Sequence, residues 1–406
     1  MARGNGLSDA YTETLTRLKG QKGNKSVLGL KVLKWVLYSE RPLRAEELCY
    51  ALAVEMGSQD LDSKNVPVLR TLLSSCLGLV TIEGSLSTVR LVHFTLQEHL
   101  LSNPILFHNP HSTIAEVCLT YLNFGCIKDI SPTLRFAPST MPLLEYASIY
   151  WGKHTRMGMT ENVKMLALRL LDRFDEHISA QLLLLSYNRY GNRDPYYNEA
   201  EGPTGFTGLH VVGFLGVVEI AAAVLEMKEW DVNATDCMGS TALTWAARNG
   251  YGEVVRILLG CEDVNPDQAD TGYGRTPLSW AAESGHEGVV EILLAREDVN
   301  PNQADTKYGR TPIWWAAVGG HLKLVKMLLA RKDIDPGVDV FGLKRKAFRT
   351  IVARDDYDFL SVLNRPVRPS SGEDGTDYGS ESVFWGARTD YAREGKDRTD
   401  YWGLWS

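Results

Sequence analysis

Apolar residues in this chain recur at two different periods, and the period changes with region. Val27, Leu28, Leu30, Val32, Leu33, Val36 and Leu37 return every three or four positions, which predicts an amphipathic helix over 27–37. Ser39-Glu40-Arg41-Pro42-Leu43 turns the chain into a second helix over 44–53, and Val68, Leu69, Leu72, Leu73 and Cys76 mark a third. Residues 78–84 and 88–94 then read as two strands around a Gly-Ser turn, with His93 on the second strand. That strand runs straight into a helix ending near Leu100. Helical spacing returns over 112–187, carried by Ile114, Val117, Cys118, Tyr121 and Leu122, by Leu143, Leu144, Tyr146, Ala147 and Trp151, and by Val163, Leu166, Leu170 and Leu171. Arg189 to Pro203 is an aromatic, turn-rich connector.

Beyond the connector one phrase returns four times. It begins at Gly205, Gly239, Gly274 and Gly309, which are 34, 35 and 35 residues apart. A constant period of this size predicts a solenoid, in which each unit buries its apolar face only against its neighbours. In the third copy Thr276-Pro277 opens a helix, since proline at the first turn loses no hydrogen bond. Leu278, Trp280, Ala281 and Ala282 follow, and the paired alanines admit a neighbouring helix at close range. Gly285-His286 breaks that helix, and Val289, Val290, Ile292, Leu293 and Leu294 form a second. Asp305-Thr306-Lys307-Tyr308 is expected as an extended finger leading into the next copy. Trp245, Trp280 and Trp315 occupy an inward phase and are expected to pack between units.

These elements resemble the ankyrin repeat, with Thr-Pro-Leu-x-x-Ala-Ala, Gly-His and Asp-Val-Asn in register over roughly 203–336. Two departures stand out. The usual histidine survives only as His210 and is replaced by Thr244, Ser279 and Trp314, and the later fingers are lengthened. Gly208 also stands in the first copy where proline is expected, which suits a capping repeat.

Three helices followed by a hairpin is a winged-helix plan. Ser39–Leu48 and Val92–Leu100 resemble the winged-helix segment behind the NACHT NTPase of fungal NOD-like receptors, a segment also named after a GPI inositol-deacylase. Gly6–Arg17 resembles the last helix of the NACHT helical region. The family order is NTPase, winged helix, helical spacer, repeats, and this chain is expected to hold the last three. The implied fold class is mainly α: a winged helix, a helical spacer and an ankyrin α-solenoid. The expected divisions are a NACHT remnant over 1–23, the winged helix over 24–105 and the spacer over 106–202. Ankyrin repeats over 203–338, a degenerate capping repeat over 339–365 and a Gly/Ser/Asp-rich tail over 366–406 complete them.

Composition narrows the chemistry. The formal charge is −7 over 406 residues, which argues against a general nucleic-acid binder. The six cysteines form no Cys-x-x-Cys pair and read as reduced thiols, which suits the cytosol, with the nucleus as the alternative. Leu209–Leu225 is oily but is interrupted by Gly213, Gly216 and Glu219 in repeat register, so no membrane span is expected. Gly20-Gln-Lys-Gly-Asn-Lys-Ser26 fails as a phosphate loop because Asn24 separates Gly23 from Lys25 and no apolar strand precedes it. His93, Glu98 and His99 do not make a His-Glu-x-x-His site, and no Gly-x-Ser-x-Gly elbow occurs. No catalytic residue, cofactor or metal is expected.

What remains is binding. In ankyrin arrays the finger and the end of the first helix face the concave side. Carried onto this chain, those positions are Cys237, Met238, Arg248 and Asn249, then Tyr273, Arg275, Glu283 and Ser284, then Lys307, Tyr308, Arg310 and Val318. The expected partner is a protein, with self-association or pairing with a NACHT-bearing homologue as further contacts. Two alternatives stand beside this reading. The chain could be the tail of a full NACHT NTPase switch, or a winged-helix DNA binder, although its third helix region offers only Lys64 and Arg70 as cations.

Overall fold

A computed structural model describes residues 4–85, 87–189, 202–227 and 230–334. The expected capping repeat (339–365), the tail and most of the connector lie outside the described residues. Helices α1 (Gly4–Lys19), α2 (Lys25–Tyr38), α3 (Ala45–Ala53) and α4 (Leu69–Ser75) precede an antiparallel hairpin, β1 (Val80–Glu83) and β2 (Thr88–Leu91). Its register pairs Val80 with Leu91 and Ile82 with Val89. The hairpin also docks on the segment before α3, where Val89 N–H donates to the Leu43 carbonyl at 2.8 Å and Ala45 N–H to that of Ser87 at 2.9 Å. Helix α5 (Phe94–Leu101) follows at once. His93, expected on the strand, lies beyond its end and caps α5, its Nδ1 accepting the Thr95 N–H at 3.2 Å.

Helix α3 begins where a buried carboxylate gathers donors. Glu47 accepts both guanidinium nitrogens of Arg41 at 2.8 Å and the Arg44 N–H at 2.7 Å. Burial alone would raise its pKa, but the Arg41 hydrogen bonds and charge hold it below the usual carboxylate value. Arg41 lies 5.3 Å from the centre of the Tyr146 ring, so the same cluster ties the winged helix to the spacer.

The spacer contains α6 (Pro110–Leu122), α7 (Gly125–Lys128), α8 (Leu144–Met157), α9 (Glu161–Leu171) and α10 (Ile178–Arg189). Helix α6 packs on α8 and α9, and α9 in turn packs on the first two helices of the solenoid. Those are α11 (Gly208–Leu215) and α12 (Val218–Met227). Gly208 is needed at that junction, since a Cβ there would stand 2.3 Å from the Leu171 carbonyl oxygen. The glycine therefore serves close approach to the spacer. Three further pairs follow among the described residues: α13 (Ala242–Arg248) with α14 (Gly252–Leu259), α15 (Pro277–Ser284) with α16 (Glu287–Leu294), and α17 (Pro312–Gly319) with α18 (Leu322–Leu329). One continuous apolar core runs from Leu15 to Leu328. Among the described residues no helix is long and apolar enough to cross a membrane.

The same contact joins successive units. His286 Nε2 donates to the Arg248 carbonyl at 3.0 Å, and His321 Nε2 to that of Glu283 at 3.0 Å, each satisfying a helix-end acceptor. Each imidazole lies against a glycine of the preceding unit, Gly250 or Gly285. Tyr251 fills the equivalent place against Gly216 and accepts a hydrogen bond from Arg156 of α8 at 3.0 Å.

Candidate protein-binding face

The fingers are turns wound about buried carboxylates, not the extended segments expected. Asp236 accepts the N–H groups of Met238 and Ser240, each at 2.9 Å. Asp270 accepts those of Tyr273 at 2.5 Å and Arg275 at 3.2 Å, and Asp305 that of Tyr308 at 2.5 Å. Each carboxylate also takes the indole N–H of its own unit's tryptophan. The distances are 2.7 Å for Trp245 to Asp236, 2.9 Å for Trp280 to Asp270 and 3.0 Å for Trp315 to Asp305. A carboxylate with several donors closes a tight turn without a strand ladder, and it fixes the indole plane. Burial raises the Asp236 pKa against the opposing effect of His210 and these hydrogen bonds. The inward tryptophans are buried as expected.

The fixed indoles receive guanidinium groups. Arg248 lies 4.0 Å from the ring centre of Trp280, 5.6 Å from that of Trp245 and 5.3 Å from that of Tyr187 in α10. Arg275 lies between Trp280 at 4.5 Å and Trp315 at 3.3 Å. Arg310 lies over Trp314 at 3.7 Å and Tyr308 at 4.6 Å. The result is a ladder in which aromatic rings and cations alternate from α10 to the last described unit.

The twelve expected residues do not offer equal surface. Met238 and Arg275 are buried, so they correct the expectation of an exposed anchor at those two positions. Met238 packs in the core beneath its finger, and Arg275 is enclosed by its two indoles and an ion pair with Glu283 at 2.6 Å. Desolvation lowers the Arg275 pKa, although Glu283 opposes it. Cys237, Arg248, Asn249, Tyr273, Glu283, Ser284, Arg310 and Val318 are half-buried. Asn249 is engaged by its own backbone surroundings, donating to the Trp245 carbonyl at 3.1 Å. Lys307 and Tyr308 are exposed, and Tyr308 keeps 49% of its surface. Lys307 sits 4.7 Å from the Tyr273 ring and 5.3 Å from the Tyr308 ring, so the third and fourth fingers form one cationic and aromatic surface.

The three aspartates were missed in sequence, although Asp236, Asp270 and Asp305 each stand just ahead of a repeat glycine. The loss of the motif histidine is also explained. Thr241 pairs with Thr244 at 3.0 Å and Thr276 with Ser279 at 3.2 Å, replacing the bond that Thr207 makes to His210 at 2.9 Å. In the last described unit Trp314 stands in place of the histidine, and the buried hydroxyl of Thr311 has no partner among the described residues.

The chain is similar to two families. A model of ankyrin repeats in three copies matches residues 173–270 and 262–339, and a model of the GPI inositol-deacylase winged helix domain matches residues 13–113. No curated protein matches the chain.

Proposed function

From a chain that joins a winged-helix domain to ankyrin repeats, we propose a protein that captures a protein partner on the face built by the third and fourth fingers. The observation that carries this is the preset position of Tyr273, Lys307, Tyr308 and Arg310, each held against its aromatic neighbours before any partner arrives. Tyrosine and arginine are frequent interface anchors, and a side chain already fixed in place loses little entropy on binding. Arg275 supports this surface from beneath, 4.8 Å from the centre of the Tyr273 ring. No step of catalysis enters the reading.

The finer reading is that the chain works as the C-terminal part of a NOD-like receptor, in signalling or non-self recognition in the cytosol. The winged-helix segment exposes Val68, Phe94 and Ile105, apolar surface of a kind that an NTPase domain or a NACHT-bearing homologue would cover. DNA binding is less well supported, because α4 carries Arg70 as its one cation.

The test is capture of partners from the native organism by the full chain, run beside Tyr308→Ala and Lys307→Glu. Partners lost with both variants, at unchanged thermal stability, support the face. Partners retained by both remove it.

A further inference from the structure

A pair of imidazoles faces nitrogen to nitrogen where the winged helix meets the spacer. Glu40 lies in the turn after α2, His111 in the first turn of α6 and His154 in α8. The Nδ1 atoms of His111 and His154 are 2.9 Å apart and the rings are stacked. Two bare lone pairs repel at that separation, so either a proton or a cation must lie between them. The far side of His154 is held by Tyr146, whose Oη is 2.9 Å from Nε2 and accepts the Glu40 N–H at 3.1 Å. With a shared proton, His154 carries it on Nδ1 and accepts the Tyr146 O–H. With a shared cation, His154 is protonated on Nε2 and donates to the phenol oxygen. Tyr146 satisfies both tautomers. A polar group that orients a ligand imidazole in this way is a regular part of metal sites.

The carboxylate of Glu40 brings an oxygen to the same place, and the three ligand atoms lie within 4.8 Å of one another. We propose that Glu40, His111 and His154 bind a zinc-class divalent ion that clamps the winged-helix segment to the spacer. Two imidazoles and one carboxylate suit zinc or its late first-row neighbours, whereas magnesium and calcium prefer oxygen alone. A fourth position is left for water. Each imidazole would bind the ion through an unprotonated nitrogen, so binding is favoured as the pH rises. Lys153 pairs with Glu40 at 2.7 Å. Its side chain keeps 24% of its surface, so the ammonium has water to turn to when a dication takes the carboxylate. His111 is half-buried and marks the way in.

The chain also carries six free thiols, so the test must separate imidazole from sulfur ligands. Full-length protein stripped with a chelator is titrated with Zn2+, Mg2+ and Co2+. The expected result is a rise in Tm with Zn2+ but not Mg2+, and visible d–d bands of four-coordinate Co2+ without intense sulfur charge transfer. His111→Ala should lose both signals while keeping its helical circular dichroism. His111→Gln, which retains a polar contact to His154, guards against a folding defect, and Glu40→Gln should weaken the metal without unfolding the chain. Absence of a Zn2+ effect overturns the proposal. So does an unchanged Co2+ spectrum in His111→Gln, since the ion would then sit on the thiols and the imidazoles would share only a proton.

Discussion

The guanidinium of Arg275 lies 3.3 Å from the centre of the Trp315 ring, one whole repeat further along the chain. This contact crosses the seam between the third and fourth units and is removed from water. A desolvated cation–π contact contributes about 2 kcal/mol, and the buried stem adds packing. Arg275→Ala should therefore lower stability by about 2–3 kcal/mol in urea unfolding followed by tryptophan fluorescence. Arg275→Lys should recover only part, because an ammonium cannot stack between two indoles. Equal stability of all three proteins would show that the seam does not depend on this group.

The finger carboxylates predict a graded pair of effects. Trp280→Phe removes one donor from Asp270 and weakens the ring on which Arg248 and Arg275 stack, and should cost about 2 kcal/mol. Asp270→Ala removes the acceptor of Tyr273 N–H, Arg275 N–H and the indole together, and should cost about 3 kcal/mol. The double variant should cost less than the sum of the two. Hydrogen exchange at the Tyr273 amide should accelerate in Asp270→Ala and change little in Trp280→Phe.

Gly285 has φ of 82°, and a Cβ there would lie 2.4 Å from His321 Cε1. Gly285→Ala should cost more than about 1 kcal/mol from the backbone alone, with the clash added. Combining it with His321→Ala should relieve the clash but not the backbone term. Thermal unfolding of the two variants separates these contributions.

Acid should weaken the spacer through His177. Its Nε2 donates to the Leu122 carbonyl at 3.0 Å and its Nδ1 accepts the Ser179 N–H at 3.1 Å. Burial lowers its pKa to about 4, below the unfolded value near 6.5. The unfolded chain then binds more protons between these values, so stability is full above about pH 6.5 and falls toward pH 4. The slope is at most about 1.4 kcal/mol per pH unit. His177→Gln should flatten the fall in Tm between pH 7 and pH 5. An unchanged slope would place the titrating group elsewhere.

How far the sequence could be read follows the range of each signal. Period and capping residues are local, so Thr276-Pro277, the Gly-His breaks and the hairpin of residues 80–91 were all legible. Met238 and Arg275 were misjudged because their burial depends on what lies across the seam. The extended fingers failed for a similar reason, since one aspartate side chain supplies the hydrogen bonds that a strand would have found in a neighbour. Tyr187 of α10 could not be tied to Trp245 and Arg248 by spacing, because it precedes the first Gly205 copy. Glu40, His111 and His154 are too far apart in the chain for any motif to join them.

The contact between a glycine of one unit and the histidine or tyrosine of the next has a bearing on length. Excising residues 252–286 would keep Tyr251 against Gly216 and set His321 against Gly250 and Arg248 over Trp315. Every junction so formed is of a type the molecule already contains. The array can thus be shortened or extended in whole steps of 35 residues with its adhesive surfaces intact, so that reach becomes adjustable independently of cohesion.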